Sequence, residues 1–189
     1  MFDKADVARA REMRLAYRST KQITQYANRI LKDLPMRTTK TPQPYGRNGQ
    51  RPELVRSRSA AEMHTAITDA IDRLRELDDV RSIGVLTKWE NTAKDIMQEF
   101  RSERIEDVSR LEEGSLIITD IIVSPIILTK GLEFDAVIVA NASKNNFSET
   151  SEFDRMLLYL ACTRARHHLE IHWHGTLSPI VPSVERLAS

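Results

Sequence analysis

Three separated stretches of this chain set chemically capable side chains at positions where a fold would hold them still. Leu15-Ala16-Tyr17-Arg18-Ser19-Thr20 puts an arginine immediately before a helix start. Thr129-Lys130-Gly131-Leu132-Glu133-Phe134-Asp135 is a polar turn whose glycine opens into an apolar run. Leu157-Leu158-Tyr159-Leu160-Ala161-Cys162-Thr163-Arg164-Ala165-Arg166 is an apolar helix ending on two arginines. A guanidinium anchored at the end of an element can hold a phosphate oxygen through its planar fork, and a glycine lets backbone approach a ligand closely. The plainer reading of Arg164 is a solvated cation at a helix C-terminus, where positive charge suits the dipole. Local physics leaves both readings open and does not say that the three stretches meet.

The elements that must position them follow from apolar periodicity. Ile23, Tyr26, Ala27, Ile30, Leu31 and Leu34 recur at helical spacing, and Ser19 followed by Gln22 reads as a capping box, so a helix is predicted to end near Pro35. Residues 36–52 are rich in proline and basic residues and read as a loop. A short strand at Glu53–Arg56 precedes a second helix on Met63, Ile67, Ala70, Ile71, Leu74 and Leu77. Ser82–Thr87 reads as a buried strand, followed by a helix on Ala93, Ile96, Met97 and Phe100. Ser115–Thr119 and Ile121–Leu128 are further strand candidates, the second demoted to an edge or interrupted strand by Pro125. Asp135–Asn141, a helix on Phe153, Met156, Leu157, Leu160 and Ala161, and a strand at His168–Trp173 complete the pattern. Strands alternating with helices predict an α/β fold, a mainly parallel sheet flanked by helices, in one domain spanning 1–189.

Composition narrows the class. With 41% hydrophobic and 29% charged residues the chain has a globular balance, and a formal net charge of +1 advertises neither a nucleic-acid nor a membrane surface, so any such contact must be local. The single cysteine, Cys162, cannot form an internal disulfide and reads as a buried, inert thiol in a reducing compartment. The start, Met1-Phe2-Asp3-Lys4, has no signal-peptide pattern and no run is long enough to span a membrane, which predicts a cytoplasmic protein without a membrane partner.

Other candidates weigh less. His168, His172 and His174 share one strand face with Glu170 between them, but residues of one strand rarely converge on an ion, so no metal site is predicted and a polar sheet edge is expected. Tyr17 and Tyr159 read as packing residues. None of the six glycines begins a Gly-Lys-Ser/Thr phosphate cradle, and a strand ending in Asp-Glu is also missing, so nucleotide phosphates and Mg²⁺ would need ligands from elsewhere.

Together and in this order, YRST, KGLEF and LLYLACTRAR resemble motifs IV, V and VI of superfamily 1 helicases of the UvrD/Rep type, over about residues 15–173. The resemblance implies a RecA-like P-loop NTPase fold without its own P-loop: the second motor domain (2A), an excised C-terminal portion of a longer protein. It implies catalytic arginines Arg164 and Arg18 at the γ-phosphate of ATP. Glu133 falls at the ribose, with Gly131, Lys130 and Arg166 about the nucleotide. On the residues alone, Lys130 reads equally as support for its turn, Glu133 as a structural ion-pair partner, and Arg166 as either. ATP and Mg²⁺ are the implied cofactors. The N-terminal RecA-like domain, single-stranded DNA and RNA polymerase are the implied partners. Two departures matter. Ile127 stands where the UvrD/Rep type usually has a histidine, and residues 21–128 are too few to hold the large 2B insertion. Both features look more like the HelD-type branch, which acts on RNA polymerase. The alternative from another class is a non-catalytic docking module that kept the fold.

Overall fold

The computed structural model describes residues 19–32, 47–111 and 119–184, with the backbone of Leu15–Ala16 and Gln43–Pro44. In chain order the elements are β1 (Leu15–Ala16), α1 (Lys21–Ile30), β2 (Gln43–Pro44), β3 (Glu53–Ser57), α2 (Ala60–Arg75), β4 (Ile83–Thr87), α3 (Glu90–Ser102), β5 (Val108–Arg110), β6 (Ile121–Pro125), a 3-10 turn (Ile126–Thr129), β7 (Phe134–Ala140), α4 (Glu152–Cys162) and β8 (Ala165–His174). Leu15 and Ala16 pair in parallel with Gln43 and Pro44. The main sheet has the order β3-β8-β7-β4-β6-β5, and every pairing in it is parallel. The α/β expectation of a mainly parallel sheet holds.

A parallel sheet must bury both faces, and its strands do so by alternation. Val137 and Val139 of β7 join Ile23, Tyr26 and Ile30 of α1 and Leu157, Leu158 and Ala161 of α4 in one core. Ala136, Ile138 and Ala140 face the opposite core, with Met63, Ile67 and Ile71 of α2 and Ala93, Ile96 and Phe100 of α3. Three layers result, α1 and α4 on one side of the sheet and α2 and α3 on the other.

Several boundaries differ from the sequence reading. The cap of α1 is Thr20, whose hydroxyl accepts from the Ile23 N–H, and not Ser19. Ser19 instead donates to the Ala165 carbonyl, and Gln22 accepts from the Gly49 N–H, so the expected capping box is absent because both side chains have long-range partners. The strand run 121–128 stops at Pro125 as expected for an interrupted strand, yet β6 is not an edge: it lies between β4 and β5. The proline is tolerated because β5 pairs only with Ile121–Val123. Strand β5 carries too few apolar residues for a period to show. On α4 the buried face is Asp154, Leu157, Leu158, Ala161 and Cys162, whereas Phe153 and Met156 are exposed. Nor is β8 a polar edge; β3 and β7 flank it, and its histidines lie inside the sheet. Residues 115–118 of the Ser115–Thr119 strand candidate, the predicted helix end near Pro35, and residues 36–42 and 45–46 of the predicted loop lie outside the described residues.

Candidate phosphate-facing site at the amino-terminal rim

Because all main-sheet strands run the same way, one rim of the sheet carries every strand beginning. Glu133 immediately precedes β7 and Arg164 immediately precedes β8, so the KGLEF turn and the end of LLYLACTRAR become neighbours there. The Phe134 N–H donates to the Arg164 carbonyl at 2.9 Å. In α/β sheets ligands commonly lie outside the carboxyl ends of strands, the rim expected for these residues. They gather at the opposite, amino-terminal rim, because each precedes its strand.

The Arg164 guanidinium is half-buried and anchored. Its Nε donates to the Leu160 carbonyl (3.3 Å) and its Nη1 to the Leu132 carbonyl (3.0 Å), so the side chain leaves α4 and spans to the KGLEF turn. Gly131 has φ +87 with open space where a Cβ would stand, and Leu132 N–H closes the turn on the Thr129 carbonyl at 3.0 Å. Lys130 is exposed on that turn and Glu133 is half-buried at its end.

The first motif reaches the same place. Ser19 Oγ donates to the Ala165 carbonyl (2.6 Å) and the Thr20 N–H to the Arg166 carbonyl (3.2 Å). Arg18 and Tyr17 themselves lie outside the described residues. The chain directly after Arg18 is thus stitched to the two residues directly after Arg164.

A further polar cluster on this rim was not found from sequence. The β7–β8 register shifts by one residue between Phe134↔Ala165 and Ala136↔His168, so Arg166 and His167 together oppose the single residue Asp135. Asp135 is buried; its Oδ1 accepts from Arg166 Nη1 (3.1 Å) and lies 3.6 Å from His167 Nε2. Its Oδ2 accepts from the Arg81 N–H and the Ser82 hydroxyl at 3.0 and 3.1 Å, and the Asp135 N–H donates back to Ser82 Oγ at 3.0 Å. His167 also meets Arg47 and Asp79. Burial, then the Arg47 cation, hold its imidazole below the ordinary histidine range, while Asp79 and Asp135 oppose that. The bonded His168 draws the Asp79 carboxyl below its ordinary value, against a smaller effect of burial. Only the bulge makes these residues neighbours, and a bulge has no signature in an apolar alternation.

Along the sheet, Glu170 is buried between Arg73 (2.6 Å) and the fully buried His172 (2.9 Å). Burial alone would raise the Glu170 carboxyl, but the His172 bond and the Arg73 charge outweigh it and hold it low. With His168 bonded to Asp79 (3.0 Å) and His174 beside Asn141 (3.3 Å), the histidines have separate partners. Among the described residues no group of three or more His, Cys, Asp or Glu could hold a metal ion. Cys162 is fully buried and burial pushes its thiol well above the ordinary range. Tyr159 is half-buried against the core, as a packing residue should be.

The model of the UvrD-like helicase C-terminal domain matches residues 12–112. The chain belongs to that family. A second family model of the same description matches residues 120–171. The chain is similar to the C-terminal domain of a possible DNA helicase from Lactobacillus plantarum WCFS1, at 31% identity and a TM-score of 0.73, covering 90% of this chain and 95% of that one. It shares its fold with S. cerevisiae Dbp5 bound to RNA and ADP BeF3, at 12% identity and a TM-score of 0.50, covering 71% of this chain and 40% of that one. No curated protein gives a sequence match. The fold is therefore that of RecA-like helicase domains, and as a UvrD-like C-terminal domain the chain carries Ser19-Thr20 and its KGLEF and TRAR stretches on one rim. Among the described residues no helix is long and apolar enough to cross a membrane.

Proposed function

We propose that this UvrD-like domain is the second motor domain of an ATP-driven superfamily 1 helicase or translocase and completes an ATP site built mainly by an N-terminal RecA-like domain. The observation that carries the reading is the joining of three distant stretches: Ser19 to Ala165, Thr20 to Arg166, Phe134 to Arg164, and Arg164 to the Leu132 carbonyl. That arrangement suits the far end of a nucleotide triphosphate. Arg164 stands half-buried where a planar cation can face phosphate oxygens, and Gly131 leaves space at the turn. Arg164 and Arg18 act as arginine fingers, stabilising charge on the phosphoryl oxygens in the transition state. Glu133 binds the ribose, with Gly131, Lys130 and Arg166 shaping the surround. When bound, Mg²⁺-ATP supplies the phosphoryl group and its metal; the phosphate cradle and metal ligands come from the other domain.

The domain comprises the whole chain, without a 2B insertion, and works in the cytoplasm. Ile127 in place of the usual histidine, together with the short 21–128 span, favours the HelD-type branch, with RNA polymerase as the partner that hydrolysis repositions; single-stranded DNA is the other partner in reach. Steady-state ATP turnover tests the reading. The protein carrying both motor domains should hydrolyse ATP, and this chain alone should not. Turnover by the chain alone near the roughly 1 s⁻¹ or more of ordinary enzymes would overturn it.

A further inference from the structure

The extra residue in β8 sits between the two parts of the rim that the proposed function uses. Arg164 enters the rim immediately before it, and the carbonyls of Ala165 and Arg166 receive the Ser19 hydroxyl and the Thr20 N–H. A register shift in a parallel pair leaves ladder groups unmatched and persists where side chains hold it. Here one buried carboxylate does so. Asp135 meets both residues of the bulge, Arg166 and His167, and at the same time is fixed from the neighbouring strand by the Arg81 N–H and the Ser82 hydroxyl.

We propose that Asp135 is the positioning residue of this rim, clamping the β8 bulge to β7 and the start of β4 so that Arg164 and the segment following Arg18 stand in fixed register. The residue works through others and touches no phosphate itself. Its carboxylate needs both oxygens: Oδ2 for the β4 side and Oδ1 for the bulge. An asparagine keeps the shape and an acceptor for Ser82, but it loses the charge that holds Arg166 and faces the His167 ring. The inference rests on the half-site reading for its consequence in catalysis, though the clamp itself is a property of this chain.

Amide hydrogen exchange on the full chain carrying Asp135→Asn tests the clamp without reference to ATP. The Thr20 and Phe134 amides, bonded to the Arg166 and Arg164 carbonyls, should lose at least about tenfold in protection. Val137 and Ile138 in the core of β7 should keep theirs. Unchanged protection at Thr20 and Phe134 overturns the proposal. If Asp135→Asn loosens the whole sheet, Arg166→Gln and His167→Gln decide: loss confined to Thr20 and Phe134 in either supports the clamp, and loss in neither overturns it. In the two-domain protein, Asp135→Asn should lower kcat by roughly tenfold to a hundredfold with KM for ATP little changed. If Arg164→Ala abolishes turnover while Asp135→Asn leaves kcat intact, the positioning role fails and the half-site reading stands. If Arg164→Ala is itself without effect, the half-site reading fails, and exchange at Thr20 still decides the clamp.

Discussion

Arg164 donates through Nη1 to the carbonyl of Leu132 at 3.0 Å, so the last helix and the KGLEF turn are joined by the side chain assigned to phosphate. A guanidinium anchored in this way is pre-organised: little freedom is left to lose when charge develops nearby.

On the proposed role as an arginine finger, replacing Arg164 by alanine in the two-domain protein should lower kcat by about 10³–10⁵-fold, with a much smaller effect on ATP binding. Lysine should restore little, because an ammonium cannot span two carbonyls and a phosphate as a planar fork does. Steady-state kinetics beside a nucleotide-binding titration check this. Near-normal turnover in a folded alanine variant would make Arg164 a helix-end brace only.

Lys88 and Asp154 form an ion pair at 2.7 Å with side chains only 10% and 6% exposed. Because Lys88 directly follows β4, the pair ties the start of α4 to the end of that strand, and Asp154 also accepts from the Ser148 N–H in the loop before α4. Lys88→Met leaves a buried carboxylate without its cation and should cost about 3–5 kcal/mol in urea unfolding. The double variant Lys88→Met with Asp154→Leu should recover much of that loss; an additive double variant would count against direct pairing.

Acid should weaken the fold in two stages. His167, among Arg47, Arg166, Asp79 and Asp135, is held below its ordinary value of 6.5, so the unfolded chain takes up that proton first as pH falls. Its contribution is complete above about 6.5 and is lost as pH drops through the folded value. Glu170, held below its ordinary 4.5 by His172 and Arg73 against burial, contributes fully above 4.5 and loses that contribution as pH drops further. Thermal unfolding should give a Tm that is flat from about pH 7 to 8, declines below about 6.5, and declines again below 4.5. His167→Gln should abolish the first decline; its persistence would assign it elsewhere.

The ring of Phe134 lies against the backbone of Gly84 in the neighbouring strand, and a Cβ on Gly84 would come within 2.6 Å of it. Gly84→Ala should cost about 1–3 kcal/mol through overpacking, and Phe134→Leu in the same chain should relieve part of it. Equal stability of Gly84→Ala and the parent chain in denaturant melts would show that the ring yields freely.

The layers and most strands were legible because buried parallel strands such as Phe134–Ala140 and Ile83–Thr87 are continuous apolar runs, and α2 and α3 keep a clean period. The arginines and the KGLEF turn were legible as motifs. What the pattern concealed is what depends on partners far along the chain. Ser19 reads as a cap until Ala165 is seen to accept its hydroxyl, and Phe153 and Met156 fit an apolar period yet face outward. Asp135 reads as a strand residue until the β8 bulge brings Arg166 and His167 to it. The rim was expected at the carboxyl ends by analogy with other α/β sheets, yet order along the chain already sets Glu133 and Arg164 directly before their strands, at the amino-terminal ends.

The sheet order also carries a consequence for synthesis on the ribosome. Strand β3 is made early and its partner is β8, the last strand of the main sheet in chain order among the described residues. While β4 can gather β6 and β7 as they emerge, β3 waits with its hydrogen-bonding groups unmatched, and β7 keeps one open side, until Ala165–His174 leaves the exit tunnel. Closure of the sheet and assembly of the arginine-bearing rim are then one event, so a nascent chain halted before β8 holds neither.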